Sequence, residues 1–217
     1  MIKPALMHSP DTLSASGLSC TRGDNTLFAG LDLSVSDGEC LHVTGPNGSG
    51  KTSLLRIIAG INVSETGSLS WNTENTASNI KFYRSSAYIA HKDGLKNELT
   101  AIENLRYYQQ LEGKVNEQRL DDTLARLKIL QCADLATQQL SFGQRRRLAF
   151  ARLLVSEFSL WILDEPFTGI DKAGREVIET LCIEHLDNHG LIVMTHHQSL
   201  TNSKLNQYRT ELRLGAA

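Results

Sequence analysis

Gly45-Pro46-Asn47-Gly48-Ser49-Gly50-Lys51-Thr52 decides the reading of this chain. The run fits G-x-x-x-x-G-K-(S/T) at every fixed position and stands in the context that pattern needs. Before it, Cys40-Leu41-His42-Val43-Thr44 reads as a β-strand. After it, Thr52 to Ala59, with Leu54, Leu55, Ile57 and Ile58, reads as an apolar-faced helix closed by Gly60. Glycines let successive backbone N–H groups turn inward around phosphate oxygens, and the helix N-terminus adds its positive end. Lys51 is expected to reach the β- and γ-phosphates of a nucleoside triphosphate, and the Thr52 hydroxyl to ligate Mg²⁺.

A second chemical element lies far downstream. Leu160-Trp161-Ile162-Leu163-Asp164-Glu165 is an apolar strand ending in two carboxylates. Such a strand, buried beside the phosphate-loop strand, delivers its last residues to the sheet edge where ligands bind. Asp164 suits the Mg²⁺ position, and Glu165 can polarise a water for attack on the γ-phosphate. The remaining α/β pattern fits around this pair. Leu31 to Ser36 alternates as a half-buried strand, and Gly67–Trp71, Ser86–Ala90 and Leu191–Thr195 read as further strands, with a loop at Asn72–Asn79 and a helix at Lys172–Asn188. Thr100 to about Leu111 is predicted helical, with Thr100 and Glu103 as a capping box. Glu117 to Leu130 is a second helix with Leu120, Leu124, Leu127 and Leu130 on one face. These two helices interrupt the α/β alternation as an inserted subdomain at about 97–139. Residues 1–13 read as a polar extension and 14–217 as one domain.

Composition narrows the role. The chain has 217 residues, 41% hydrophobic and 21% charged, with a formal net charge of −2, so no global basic field draws it to nucleic acid. The four cysteines form no C-x-x-C pair and read as free thiols in a reducing compartment. No apolar run reaches the ~20 residues that span a bilayer, and residues 1–10 lack the apolar stretch of a signal peptide. A soluble chain is expected, with any membrane role supplied by partners. His185 and His189 read as a surface pair at a helix C-terminus rather than as metal ligands.

Leu140-Ser141-Phe142-Gly143-Gln144 makes the reading specific. It resembles the L-S-G-G-Q signature of the ATP-binding-cassette ATPases, with Phe142 at the first glycine, and precedes Asp164 by the distance that family keeps. The resemblance runs from about Leu13 to Leu200. It implies a phosphate-loop (P-loop) NTPase cassette: a RecA-like α/β core, an antiparallel β subdomain and an inserted α-helical subdomain. It also implies ATP and Mg²⁺ as cofactors and a second ATPase subunit, forming a homodimer in the ATP-bound state. Ser141, Phe142, Gly143 and Gln144 of one subunit would then cap the γ-phosphate held by the other. A helix starting near Gln144 points its dipole at that anion, and Arg145, Arg146 and Arg147 sit badly at a helix N-terminus unless an anion is near. The ATP-binding set is Gly45, Pro46, Asn47, Gly48, Ser49, Gly50, Lys51, Thr52 and Ser53, with Lys51 also catalytic. Phe167-Thr168-Gly169-Ile170-Asp171 resembles the D-loop, in which Asp171 meets the opposing subunit. Thr195-His196-His197-Gln198 ends a strand where the family places its switch histidine; His197 is the choice and His196 the runner-up.

Two departures stand out. The slot of the adenine-stacking aromatic holds Arg22, whose guanidinium plane can also stack on a base. The Q-loop glutamine is replaced by His91, whose neutral imidazole can accept from a Mg²⁺-bound water. Several segments are similar to the branch of the family that serves bacterial cytochrome c maturation. They include Gly94-Leu95-Lys96-Asn97-Glu98-Leu99-Thr100 and Leu160-Trp161-Ile162-Leu163-Asp164-Glu165-Pro166-Phe167-Thr168. That likeness implies a peripheral subunit on the cytoplasmic face of the bacterial inner membrane, bound to integral membrane subunits and not to nucleic acid. The complex would export haem or release a haem-loaded chaperone. The competing reading is the ATPase of another single-cassette transporter with a different substrate.

Overall fold

The computed structural model describes residues 10–113, 115–196 and 202–215, and its first described elements form a long hairpin. β1 (Thr12–Arg22) and β2 (Asn25–Ser36) pair antiparallel around the Gly23-Asp24 turn, and β3 (Cys40–Thr44) leads through the phosphate loop into α1 (Lys51–Ile58). Next come β4 (Thr66–Trp71), β5 (Glu74–Asn75), α2 (Ile80–Ser85) and β6 (Ser86–Ile89). The helices α3 (Ala101–Leu111), α4 (Glu117–Arg126) and α5 (Phe142–Val155) follow. The chain then returns through β7 (Leu160–Leu163), α6 (Lys172–Asp187), β8 (Leu191–Thr195), α7 (Ser203–Gln207) and β9 (Arg209–Arg213).

Two sheets of opposite character result. One is antiparallel, ordered β2-β1-β4-β5; the other is parallel throughout, ordered β6-β7-β8-β3-β9. Parallel strands are covered on both faces, which is why β7 and β8 are apolar at nearly every position. Side-chain alternation then sorts the core in two. Leu41, Val43, Leu160, Ile162, Leu191 and Val193 pack with α1 and the antiparallel sheet. Cys40, Trp161, Leu163, Ile192 and Met194 face the other way, toward α5, α6 and the helices α3 and α4. The phosphate-loop strand β3 lies between β8 and β9, so the loop leaves the sheet near its centre.

The boundaries differ from expectation in instructive places. The stretch expected as a loop contains β5, and α2 follows it. Asn79 caps α2 by accepting from the Phe82 N–H at 3.1 Å, but only Phe82 is buried, so no period shows in sequence. α4 ends four residues before Leu130, because Lys128 takes φ +57 and stops the helix. Leu120, Leu124 and Leu127 are fully buried, whereas Leu130 is 43% exposed and leaves the apolar face.

A buried amide fixes the segment that leads into α3. Asn104 Nδ2 donates to the carbonyls of Lys96 and Thr100 and to Thr137 Oγ1, and its Oδ1 accepts from the Lys96 N–H at 2.9 Å. Asn104→Ala leaves those buried groups unsatisfied. The expected loss is about 1–3 kcal/mol of stability, read as a lower urea midpoint at unchanged slope.

His185 corrects the surface-pair expectation. Its ring stacks on Trp161 at 3.9 Å and 8°, with Nε2 3.1 Å from the Ser159 carbonyl, so that nitrogen carries the proton. Burial pushes its pKa down to about 4. The unfolded chain protonates below about 6.5, so this histidine's contribution to stability is complete above that pH and is lost as pH falls toward 4. At pH 5 the expected loss relative to pH 7.5 is about 2 kcal/mol. In His185→Gln that part of the pH dependence should vanish from paired denaturation curves.

Candidate nucleotide site

The phosphate loop is held shut by its own lysine. Lys51 Nζ donates to the carbonyls of Gly45 at 2.8 Å and Pro46 at 2.9 Å. Burial lowers the Lys51 pKa, while the nearby carboxylates of Glu165 and Asp164 raise it in opposition. Gly45 sits at φ +143 with no room for a side chain: a Cβ there would lie 2.6 Å from the Leu214 carbonyl oxygen. The backbone following β9 is thus a wall of the loop. No side chain caps α1, so its first N–H groups are left to a ligand. Ser49 Oγ is buried and has no hydrogen-bond partner among the described residues. A cavity of about 390 Å³ opens here, lined by Arg22, Asn25, Leu27, Asn47, Gly48, Gly50, Lys51, Thr52, Ser53 and Glu165. Unmet N–H groups, an orphaned hydroxyl and one ammonium form a donor set suited to a polyphosphate, and the exposed Arg22 stands at its edge.

The two carboxylates enter from β7 through a threonine. Glu165 N–H donates to Thr195 Oγ1 at 2.9 Å, and Thr195 Oγ1 donates to Asp164 Oδ1 at 2.8 Å. Thr195 is fully buried at the end of β8, so one hydroxyl fixes both acids against the neighbouring strand. Glu165 has φ +49, uncommon for a residue with a side chain. Its Oε2 accepts from Thr168 Oγ1 at 3.1 Å. Asp164 as a whole is 3% exposed.

The other sequence-selected residues are dispersed. Ser141 caps α5, with Oγ accepting from the Gln144 N–H and the Gln144 side chain accepting from the Ser141 N–H, so the helix starts at Phe142 rather than near Gln144. None of Ser141, Phe142, Gly143 and Gln144 lines the cavity. The Phe142 ring, 42% exposed, lies over Gly169: a Cβ at Gly169 would fall 2.3 Å from it. Asp171 caps α6 by accepting from the Gly174 N–H. His91 is exposed and, among the described residues, makes no hydrogen bond. His196 is buried with its ring 5.1 Å from that of Phe167. His197 lies outside the described residues. Two of the three arginines need no anion: Arg147 reaches the carbonyls of Leu127 and Lys128, and Arg146 turns inward to five acceptors, whereas Arg145 Nε is buried with no hydrogen-bond partner among the described residues. Asn25, Leu27, Thr195 and Arg146 were missed. The first two follow the Arg22-Gly23 turn directly, and Thr195 closes an apolar strand beside the acids, so position alone pointed to them.

A parallel sheet in which an inner strand, β3, feeds a glycine-rich anion cradle, with two carboxylates at the end of the next strand but one, defines a P-loop ATPase. Residues 28–168 match the ABC transporter family, and the chain belongs to it. The cytochrome c biogenesis ATP-binding export protein CcmA of Aliivibrio fischeri is 43% identical over 189 residues, covering 87% of this chain and 93% of that one. The protein of the same name from Nitrosomonas europaea is 41% identical over 204 residues, covering 93% and 96%. A putative ABC transporter ATP-binding protein from Pyrococcus furiosus superposes with a TM-score of 0.79 at 22% identity, covering 94% of this chain and 97% of that one. The fold is therefore that of the ABC cassette, and the chain is an ATPase. No described helix is long and apolar enough to cross a membrane.

Proposed function

We propose that this ATPase drives a membrane complex of c-type cytochrome biogenesis from the cytoplasmic face of the bacterial inner membrane, held there by integral membrane subunits and paired with a second copy of itself. The observation that carries the reading is identity of 40–43% to CcmA proteins over most of both chains. The work done is haem export or ATP-driven release of a haem-loaded chaperone.

Each residue has a part in this reading. The backbone from Gly45 to Thr52, with Ser53, receives the phosphates, and Lys51 exchanges its loop carbonyls for β- and γ-phosphate oxygens. Arg22 lies flat on the base. Thr52 and Asp164 would hold Mg²⁺, which supplies charge neutralisation between the β- and γ-phosphates. Glu165 takes the proton of the attacking water, and His197 contacts the γ-phosphate. Ser141, Phe142, Gly143 and Gln144 act across the dimer, beside Asp171. His91 reports on the site from the segment after β6.

The test is genetic. In a strain lacking this chain, covalently bound haem in c-type cytochromes should disappear; wild type should restore it and Glu165→Gln should not. Normal c-type cytochromes in the deletion strain would exclude this function while leaving the ATPase intact.

A further inference from the structure

Arg146 stands where three elements meet. It belongs to α5, is 2% exposed, and directs its whole guanidinium at other segments. Nη1 donates to the Ala90 carbonyl at 2.7 Å and to Asp93 Oδ1 at 3.0 Å, both on the segment after β6. Nη2 donates to the carbonyls of Asp164 at 2.9 Å and Glu165 at 3.0 Å, and Nε lies 3.4 Å from the Pro166 carbonyl, all on the turn after β7. This is the turn in which Glu165 takes its positive φ.

We infer that Arg146 is a positioning residue for Glu165, and that Asp93 sets its reach, so that movement of the segment after β6 is delivered to the carboxylate. The inference rests on the reading of Glu165 as the group that activates water. A rigid planar fork with five donors fits one arrangement of acceptors and cannot re-form it after a shift. At 2% exposure the guanidinium is shut off from the bulk water that would replace a lost partner, so a displaced acceptor moves the fork instead. The segment is also tied on its far side. Arg152 Nη1 donates to the Asp93 carbonyl at 3.1 Å, and the Tyr108 hydroxyl donates to the Gly94 carbonyl at 2.8 Å. The Arg152 guanidinium lies 4.2 Å over the Tyr108 ring. A shift of α3 or α5 against the parallel sheet therefore pulls on Asp93 and, through Arg146, on the backbone of Asp164 and Glu165. His91, on the same segment, makes no hydrogen bond among the described residues, so the side chains that tie this segment to the turn after β7 are those of Asp93 and Arg146.

Loss of Arg146 itself can unfold the chain, so the test is made on Asp93, whose side chain is 14% exposed. Steady-state ATP hydrolysis of the full chain is compared for wild type, Asp93→Ala, Asp93→Asn and Glu165→Gln, with thermal melting of each. Asp93→Ala removes the acceptor, and kcat should fall about tenfold, as for a catalytic group slightly misplaced, with KM for ATP unchanged. Asp93→Asn keeps an acceptor oxygen for Nη1 and should recover most of the turnover. A purely structural pair would lower melting temperature while leaving kcat per folded molecule at the wild-type value, and that overturns the inference. So does an Asp93→Asn no better than Asp93→Ala. Wild-type turnover in Glu165→Gln overturns the reading of Glu165 and this inference with it; an inactive Glu165→Gln beside an unaffected Asp93→Ala overturns this inference alone.

Discussion

Lys51→Ala is expected to reduce ATP hydrolysis to background while the chain stays folded. The ammonium is the one cation among the side chains inside the loop, since Arg22 stands exposed at the edge of the cavity. Its two hydrogen bonds run to the carbonyls of Gly45 and Pro46 within the loop itself, so losing them unties no other element of the fold. A lost charge-assisted hydrogen bond costs about 1.5–3 kcal/mol, and Lys51 offers contacts to two phosphates. Charge builds on the γ-phosphoryl oxygens during transfer, and removing a preorganised donor from such a site lowers kcat by about 10²–10³-fold. The measurement is phosphate release beside nucleotide binding and circular dichroism. Turnover within threefold of wild type would falsify the role given to Lys51.

Much of this site was legible because its chemistry demands contiguous residues. The run from Gly45 to Thr52 must be continuous to wrap one phosphate chain, and a strand ending in Asp164-Glu165 announces itself by four apolar residues before two acids. β7 and β8 match the residues expected, since strands buried on both faces carry no polar interruptions. What escaped depends on three-dimensional neighbours. Thr195 matters because β8 lies beside β7 with Leu163 opposite Met194, a pairing that no local pattern encodes. Arg146 read as one of three cations that call for an anion at a helix N-terminus, yet helical geometry turns it inward while Arg147 closes the end of α4. β9 joins β3 across most of the chain's length, with Cys40 opposite Arg209, and its sequence alternates too weakly to declare a strand. His185 was misjudged for a similar reason: the ring finds Trp161 on a strand two dozen residues earlier.

Glu165→Gln should abolish turnover while preserving, and even prolonging, nucleotide binding. The amide keeps the size of the carboxylate and can still accept from Thr168 Oγ1, so the turn held by Thr195 and Arg146 is not disturbed. What it lacks is a site to receive the proton of the attacking water; loss of a general base lowers rate by about 10²–10⁴-fold. The consequence for assembly follows from where the signature lies. Ser141 to Gln144 do not line the cavity of their own chain, while Ser141 and Phe142 are exposed at the start of α5, where the Ser141 cap takes the Gln144 N–H and leaves the N–H groups of Phe142 and Gly143 without an intrahelical partner. If those donors meet the γ-phosphate of a second copy, ATP is the bond between the subunits, and hydrolysis is what releases it. A mutant that binds ATP but cannot cleave it should then accumulate as a dimer in ATP and Mg²⁺ and return to monomer when the nucleotide is removed. Ser141→Ala in the same background should weaken that dimer without touching the phosphate loop. Size-exclusion chromatography reads both outcomes. A monomeric Glu165→Gln with ATP bound would place the signature outside the dimer contact, and a Glu165→Gln that cleaves ATP at the wild-type rate would remove Glu165 as the base.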